Sequence, residues 1–230
     1  MKLSEEMKNK TLLSFELFPP KTEKGLQNLP GTIDHLMKYN PSYISCTYGA
    51  GGGNVGANRE VCQMIKNAGT TPVTHFTVIK NTKEGIKEQL DQYLADGVDH
   101  MLALRGDIPL GETTTCGDFD YATDLVKFVR DTYGDKFEIA VAGSPEGHIS
   151  CRSLESDIAV LKQKQDNGAD YIMTQLCWDM EQFKYWLDAI RKAGVTMPVD
   201  VGVMPILDQA ATINMALSRN GCVMRSEEHT

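Results

Sequence analysis

The sequence predicts an α/β protein of the (β/α)8 TIM-barrel type in which about seven β/α units are present. Short apolar or β-branched segments, bounded by turn residues, alternate with amphipathic helical segments along the whole chain. Strands that are each followed by a helix, without long linkers, indicate a parallel sheet with right-handed crossovers. A repeat of about 30 residues per unit favours a closed barrel over an open doubly wound sheet.

The predicted strands and helices follow one another in strict alternation. The strands are residues 12–18, 43–47, 72–78, 100–105, 137–142, 171–175 and 199–204. The helices are about residues 25–39, 58–68, 82–96, 118–132, 153–167, 180–193 and 209–217. The third helix shows the pattern most clearly, because Ile86 and Leu90 share one apolar stripe and Gly97 ends the segment.

No shift in composition marks a second domain. We therefore predict a single barrel domain over residues 1–224, incomplete because no eighth unit follows the seventh. The last six residues, RSEEHT, continue no pattern and match what a common sequencing-library adapter would encode if translated. We expect residues 225–230 to be a non-native tail, which resequencing of the source DNA past residue 224 would test.

Composition and charge exclude several classes of protein. The 230 residues carry 23 Lys and Arg against 31 Asp and Glu, a net charge of −8. This acidic balance argues against a nucleic-acid or anionic-membrane partner. No apolar run approaches the roughly 18 residues that span a bilayer. The N-terminus, MKLSEEMKNK, has no apolar signal-peptide core, so we predict a cytoplasmic protein.

The cysteines are expected to be reduced thiols that serve as small apolar residues. They are Cys46, Cys62, Cys116, Cys151, Cys177 and Cys222. None forms a C-x-x-C pair, so the sequence offers no zinc or thioredoxin-like site.

The first predicted strand contains a carboxylate, Glu16, where burial would be expected. Because side chains alternate along a strand, Phe15 and Leu17 share the outward face, and Ser14 and Glu16 share the inward face. Leu13 has the same parity as Phe15 and is predicted to face the helices. Glu16 therefore lies inside the barrel near the carboxyl end of its strand, where active sites of this fold are found.

Two prolines, Pro19 and Pro20, end this strand just after the acid. A carboxyl group in a partly apolar barrel mouth has its neutral form favoured by desolvation, which suits a general acid. The alternative is that Glu16 only pairs with a buried cation such as Arg105 or Lys21.

Polar residues also occupy the ends of four other predicted strands. They are Thr47 and Tyr48, His75, the run Arg105, Gly106 and Asp107, and Gln175. Each alone has a structural alternative: a helix cap for Asp107, a satisfied core histidine for His75, a loop hydrogen bond for Gln175. Together they predict a pocket for a polar heterocycle. Without clustered Cys or His ligands, the set argues against a metal site.

Two loops add candidate binding features. Residues 51–56, GGGNVG, satisfy the G-x-G-x-x-G pattern after a strand, but no acidic residue ends the next strand as a Rossmann unit requires. We favour a flexible loop beside a ligand, and a dinucleotide loop remains the alternative. Residues 144–150, SPEGHIS, are either a turn into the next helix or a segment in which His148 holds a cofactor phosphate or ribose.

Seven linked motifs resemble the methylenetetrahydrofolate reductase family. They are SFELFPPKT, SCTYGAGGG, THFT, ALRGD, SPEGH, DIAVLKQKQDNGADYIMTQ and GVMP, in family order and spacing over about residues 11–207. The resemblance implies an FAD-binding (β/α)8 barrel, in agreement with the architecture predicted above. It has three departures: a serine, Ser144, stands where many members have an aromatic residue, ILDQAA follows GVMP in place of an asparagine–aromatic pair, and the eighth strand and helix are missing.

The resemblance implies an activity in one-carbon metabolism, on the route to methionine. NADH or NADPH reduces FAD, and hydride then passes to 5,10-methylenetetrahydrofolate to form 5-methyltetrahydrofolate. Glu16 matches the family's acid, which protonates a folate nitrogen. Asp107 would lie near flavin and pterin and favour the cationic intermediate, and Gln175 would bind folate and help to seat nicotinamide.

The same resemblance implies the residues of the FAD site. They are Thr47, His75, Arg105, Gly106, Asp107, His148, Asp157 and Lys164, without a metal. Expected partners are the folate substrate and the nicotinamide, and the resemblance leaves open a homo-oligomer or an electron-donating partner subunit. Two alternatives remain: a non-catalytic flavin- or folate-binding fragment or subunit that needs a partner, and an unrelated NAD enzyme that uses the glycine-rich loop.

Overall fold

Seven parallel strands form one sheet in which every strand pairs with the next along the chain. The structure is a computed structural model that describes residues 2–48, 55–108, 111–148, 151–204 and 206–217. The strands are β1 (Ser14–Leu17), β2 (Tyr43–Cys46), β3 (Thr71–Thr77), β4 (His100–Leu104), β5 (Glu138–Gly143), β6 (Tyr171–Thr174) and β7 (Val199–Asp200). The predicted barrel-type α/β fold with seven units is confirmed, and no eighth strand lies within these ranges.

The sheet curls until its first and last strands face each other across the interior. Asp200 of β7 accepts a hydrogen bond from Ser14 Oγ of β1 at 3.1 Å. The Tyr43 hydroxyl of β2 donates to the same carboxylate oxygen. Side chains that meet across the interior in this way require the curvature of a barrel rather than an open sheet.

The helices alternate with the strands as predicted. They are α1 (Leu3–Met7), α2 (Glu23–Met37), α3 (Val55–Asn67), α4 (Lys83–Ala95), α5 (Ala122–Tyr133), α6 (Leu154–Asp166), α7 (Met180–Lys192) and α8 (Gln209–Leu217). Thr22, Thr82, Ser153 and Asp179 cap four of them through side-chain oxygens. In the described part of the chain, no helix is both long and apolar enough to cross a bilayer.

Two apolar layers follow from the alternation of strand side chains. Outward residues pack against the helices; they include Ile44, Phe76, Ile139 and Ile172, with Phe15 and Leu17 at the margin. Inward residues form a second cluster of Leu3, Tyr43, Val73, Leu102, Ala140 and Tyr171. The predicted faces of Phe15 and Leu17 are therefore confirmed, whereas Leu13 precedes the strand and is exposed.

The last predicted strand is much shorter than expected. Only Val199 and Asp200 pair with β6, and the remainder of residues 199–204 leaves the ladder. The Gly202 N–H donates to the Thr174 side chain at 2.9 Å instead of to a ladder carbonyl. A Cβ at Gly202 would lie 2.7 Å from the Thr174 carbonyl oxygen, so the chain passes too close to β6 for any larger residue.

The short helix α1 was missed in the sequence and lies across the amino-terminal end of the barrel. Leu3 is buried and packs in the inner cluster beside Tyr43 and Tyr171. The backbone N–H groups of Leu3 and Ser4 both donate to the Glu138 carboxylate, each at 2.7 Å. The helix thus covers the amino-terminal end of the barrel, and a strand residue accepts the hydrogen bonds of its first N–H groups.

The cysteines in the described residues are free thiols. Cys46, Cys62 and Cys177 are buried, Cys151 is half-buried, and Cys116 is exposed. The predicted use as small apolar residues therefore fits the first three. Cys222, residues 51–54 of the glycine-rich loop and the tail 225–230 lie outside the described residues.

Candidate active site at the carboxyl ends of the strands

Glu16 lies on the inner face of β1 and points into the barrel. Its Oε2 is 3.5 Å from Nε2 of His75 on β3, and 47% of its side chain remains exposed. In register, Glu16 stands opposite Ser45 of β2. Within the described chain Glu16 therefore contacts His75, rather than the Arg105 or Lys21 of the alternative interpretation.

Burial shifts both groups of this pair toward their neutral forms. Desolvation raises the pKa of the Glu16 carboxyl above its ordinary value. Desolvation also lowers the pKa of His75 to about 4, so this histidine is neutral at physiological pH. Glu16 therefore remains accessible at the carboxyl ends of the strands, and no cation within the described ranges stabilises its negative charge.

Polar atoms without hydrogen-bond partners line the inner face next to Glu16. They are the hydroxyls of Ser45, Thr47 and Thr77 and Nε2 of His75, all buried on β2, on β3 or just after β2. The 3.5 Å approach to Glu16 does not complete a hydrogen bond, so His75 is not a satisfied core histidine. A buried polar group left unpaired costs about 1–3 kcal/mol, and such a row is what a bound polar ligand would satisfy.

Gly106 brings the backbone after β4 close to the end of β3. Its φ of +85° lies in the left-handed region, and an added Cβ would stand 2.6 Å from Ile79 Cγ1. Only glycine fits this position without displacing Ile79. The neighbours in the RGD motif are Arg105, half-buried with Nε 3.3 Å from the Gly106 carbonyl, and the exposed Asp107.

A second group forms where β5 ends and α6 begins. Lys164 Nζ donates to the Ala142 carbonyl at 3.0 Å, and the His148 N–H donates to Asp157 Oδ2 at 3.2 Å. Burial lowers the pKa of Lys164 against the opposing charge of Asp157. Burial also lowers the pKa of His148, with Asp157 opposing and Arg105 and Lys164 reinforcing the shift.

Three predicted cofactor residues, Arg105, Asp157 and Lys164, are therefore within electrostatic reach of a fourth, His148. Such a cluster of cationic and hydrogen-bonding groups can bind a phosphate.

Gln175 directly follows β6. Its backbone N–H donates to the Gly143 carbonyl at 2.8 Å, and its side-chain oxygen accepts from the Leu176 N–H at 2.9 Å.

The sequence arguments missed Ser45 and Asn58, which border the same site. Ser45 could have been found from strand alternation, since it shares a face with Tyr43 and Thr47. Asn58 shares the apolar face of α3 with Val61, Cys62 and Ile65, and a polar residue at that spacing is a signal. No group of three His, Cys, Asp or Glu side chains in the described ranges could hold a metal ion.

The fold and the site define a parallel β/α barrel protein that presents polar groups at the carboxyl ends of its strands, the end at which such barrels bind ligands. The particular family follows from comparison. The family model for methylenetetrahydrofolate reductase matches residues 2–220, and the chain belongs to this family.

Relatives of known name agree with this assignment. The chain is 37% identical over 219 residues to methylenetetrahydrofolate reductase (NADH) 1 of Arabidopsis thaliana, covering 90% of this chain and 37% of that protein. It is 38% identical over 216 residues to methylenetetrahydrofolate reductase 1 of Schizosaccharomyces pombe, with 90% and 36% covered. With 5,10-methylenetetrahydrofolate reductase of Escherichia coli it shares 33% identity over 202 residues, 87% of this chain and 67% of that protein.

The chain therefore spans a little over a third of the length of its plant and fission-yeast relatives. Among solved structures, an uncharacterised Clostridium thermocellum protein described as binding two copies of 5-methyl-5,6,7,8-tetrahydrofolic acid matches with a TM-score of 0.66 at 15% identity, over 93% of this chain and 73% of that one. A 2,3-dimethylmalate lyase matches with a TM-score of 0.59 at 11% identity, over 99% and 88%. At these identities the two structures establish the fold alone.

Proposed function

We propose that the chain reduces 5,10-methylenetetrahydrofolate to 5-methyltetrahydrofolate, with FAD as cofactor and NADH or NADPH as electron donor. Family membership and the names of the relatives support this reaction, and NADH appears in the name of the Arabidopsis relative. The observation that carries the proposal is the Glu16 carboxyl, which faces the barrel interior beside His75 with its pKa raised by burial.

The reaction needs an acid at this position. The bridging carbon of the folate is a poor electrophile until its five-membered ring opens to an iminium, which requires a proton on a folate nitrogen. Burial favours the protonated form of Glu16, so its carboxyl can hold and deliver that proton. His75 cannot replace it, because a pKa of about 4 leaves this imidazole without a proton to give at neutral pH.

The residues present fit a bound FAD. The unpaired Thr47 hydroxyl and His75 Nε2 leave hydrogen-bonding capacity at the carboxyl ends of the strands, and Gly106 lets the backbone after β4 pass close to Ile79. We assign FAD binding to Thr47, His75, Arg105, Gly106, Asp107, His148, Asp157 and Lys164. The cationic group around Lys164 would hold phosphate. When bound, the flavin supplies the hydride that reduces the folate.

Asp107 and Gln175 complete the proposed site. Asp107 is exposed after Gly106, where its negative charge would favour the cationic form of the folate. Gln175 stands at the end of β6 and would hydrogen-bond the folate and help to seat the nicotinamide. The Clostridium thermocellum protein of the same fold is described as binding 5-methyl-5,6,7,8-tetrahydrofolic acid, which supports a folate as the ligand class.

The test is optical and kinetic. FAD titrated into the purified chain should bind and colour it yellow; NADH or NADPH should bleach the flavin, and a folate or menadione acceptor should restore it. Glu16→Gln should still be bleached by NAD(P)H but should lose about 10²- to 10⁴-fold in folate turnover. Normal folate turnover by Glu16→Gln would remove this residue from the mechanism, and failure to bind FAD would overturn the proposal.

A second candidate is a non-catalytic fragment or subunit that holds flavin or folate for a partner. Such a chain should bind FAD alone but turn over only when an electron-donating subunit or a second copy is added. Assays of the chain alone and with candidate partners separate the two functions.

A further inference from the structure

Asn58 is a buried amide in α3 that is bonded to the end of β2. Its Nδ2 group donates to the carbonyl oxygen of Cys46 at 2.9 Å and to that of Thr47 at 3.0 Å. Cys46 is the last residue of β2, and Thr47 is the first residue after it. Both hydrogens of the amide are therefore used at the point where this strand reaches the mouth of the barrel.

The side-chain oxygen of Asn58 also has its full set of hydrogen bonds. Oδ1 of Asn58 accepts from Thr74 Oγ1 of β3 at 2.8 Å and from the Tyr93 hydroxyl of α4 at 2.7 Å. The thiol of Cys62 lies 3.5 Å from the same oxygen. Because hydroxyls must donate to Oδ1 and carbonyls must accept from Nδ2, the orientation of the amide follows from its neighbours.

These bonds hold Thr47 from two sides. The Thr47 N–H donates to the Leu17 carbonyl at 2.9 Å, which ties it to β1, while its carbonyl is held by Asn58. The Thr47 hydroxyl is left buried and unpaired. Thr74, the other strand residue bonded to Asn58, directly precedes His75. Asn58 thus links the backbone of Thr47 to the side chain of the residue that precedes His75, and Thr47 and His75 carry two of the unpaired groups of the site.

We propose that Asn58 is a positioning residue that fixes the backbone of Thr47 so that its hydroxyl is presented to the flavin. This inference rests on the proposed FAD site. A buried amide is costly unless all its bonds are made, and an apolar residue would complete the stripe of Val61, Cys62 and Ile65. The gain that offsets this cost is a fixed strand end at the ligand site.

Two variants separate the positioning role from a merely structural one. Asn58→Asp is nearly isosteric and keeps an oxygen facing Thr74 and Tyr93, but replaces the donor group that faces the two carbonyls. Tyr93→Phe removes one hydrogen bond to the same Oδ1 and leaves the contacts to Cys46 and Thr47 intact. Both are made in the full chain, and hydrogen exchange by mass spectrometry, melting temperature, FAD dissociation constant and the visible spectrum of bound flavin are measured.

Asn58→Asp should raise exchange in peptides that contain Thr47 and Tyr48, weaken FAD binding and alter the flavin spectrum. If the freed strand end holds the binding conformation in about one molecule in ten, the dissociation constant rises about tenfold. Tyr93→Phe should lower the melting temperature without moving the dissociation constant or the spectrum. If Asn58→Asp does not fold, Asn58→Ser, which loses the amide without burying a charge, is compared with Tyr93→Phe in the same way.

Equal effects of the two substitutions on exchange and on FAD binding, in proportion to lost stability, would make Asn58 a structural residue only. Unchanged exchange and affinity in Asn58→Asp would also overturn the inference. Failure of the unsubstituted chain to bind FAD would count against the proposed function instead, and the exchange comparison would still decide whether Asn58 holds Thr47.

Discussion

The two ends of the barrel interior each carry a glutamate and a histidine, and the two pairs are in opposite electrostatic states. At the amino-terminal end, Glu138 of β5 lies 2.9 Å from Nε2 of His100 of β4. At the carboxyl end, Glu16 of β1 lies 3.5 Å from Nε2 of His75 of β3. The residue types are the same, so the difference comes from what surrounds them.

The Glu138–His100 pair at the amino-terminal end is charged: His100 lies between two carboxylates, and Glu138 accepts two backbone N–H groups of α1. Burial alone would raise the pKa of Glu138, but His100 and the N–H groups of α1 outweigh it and lower that pKa to about 2. Burial would likewise lower the pKa of His100, yet the carboxylates of Asp99 and Glu138 raise it to about 9. His100 Nδ1 lies 2.6 Å from Asp99, so the cluster holds two acids around one cation.

The Glu16–His75 pair at the carboxyl end has no such charged partners among the residues that the structure describes, so desolvation determines its protonation state. The pKa of Glu16 is raised and that of His75 is lowered to about 4, both by burial. The amino-terminal end thus uses the Glu138 carboxylate to attach α1 to the sheet. Buried polar atoms without hydrogen-bond partners occur at both ends, at His100 Nε2 and the Tyr171 hydroxyl as well as at Ser45, Thr47, His75 and Thr77, so the two ends differ in charge state rather than in unused hydrogen-bonding capacity. Unsatisfied polar groups at the ligand-binding end of a barrel are expected where function, rather than stability, sets the residue.

The same substitution at both ends should give the largest contrast. Glu138→Gln removes the buried anion that His100 and α1 require, since only 2% of its side chain is exposed. We expect a loss of about 3–5 kcal/mol in the free energy of unfolding, measured by urea denaturation without ligand. Glu16→Gln should change that free energy by no more than about 0.5 kcal/mol. Equal losses would show that the Glu16–His75 pair is also structural.

Removal of the apolar contact that α1 makes at the amino-terminal end should have the next largest effect on the free energy of unfolding. Leu3→Ala leaves a cavity in the inner cluster where Leu3 packs with Tyr43 and Tyr171, at an expected cost of about 2–4 kcal/mol. FAD affinity should change little, because α1 is at the opposite end from the proposed site. Leu207→Ala is the matched control, since Leu207 is 91% exposed and its truncation should be nearly neutral. A larger effect on FAD affinity than on stability would contradict the separation of the two ends.

The third contrast concerns the pH dependence of the free energy of unfolding, to which the two histidines should contribute in opposite pH windows. The pKa of His100, about 9, lies above its ordinary 6.5, so its stabilising contribution is complete below about pH 6.5 and is lost as pH rises through about 9. The pKa of His75, about 4, lies below 6.5, so its contribution is complete above about pH 6.5 and is lost as pH falls toward 4. The difference between each pKa and 6.5 corresponds to about 3 kcal/mol over the whole window.

Unfolding curves across these windows measure both slopes, and each histidine has its own control. His100→Gln should flatten the alkaline slope and leave the acid one, and His75→Gln should do the reverse. The groups facing His100 are Asp99 and Glu138, and the group facing His75 is Glu16. A single variant that flattened both slopes would show that the two ends titrate as one unit.

Sequence patterns were sufficient for most of the strands and helices and for the position of Glu16 in the site. Alternation in residues 12–18 placed Phe15 and Leu17 on the helices and Glu16 inside, and the structure agrees. The same patterns missed α1, because only Leu3 and Met7 in its five residues are apolar. They also overextended β7, since the pairing of Val199 and Asp200 with β6 ends where Gly202 turns to the Thr174 side chain.

By itself, the sequence determined the order of strands and helices, the barrel-type fold and the family, because periodicity, turn residues and motif spacing are local properties of the chain. Only the tertiary structure decided which ionisable groups are paired. Glu138 meets Leu3 and Ser4 from more than 130 positions away, and Asn58 gathers contacts from β2, β3 and α4. A pKa depends on burial and on neighbours that folding brings together, so two similar pairs became opposites.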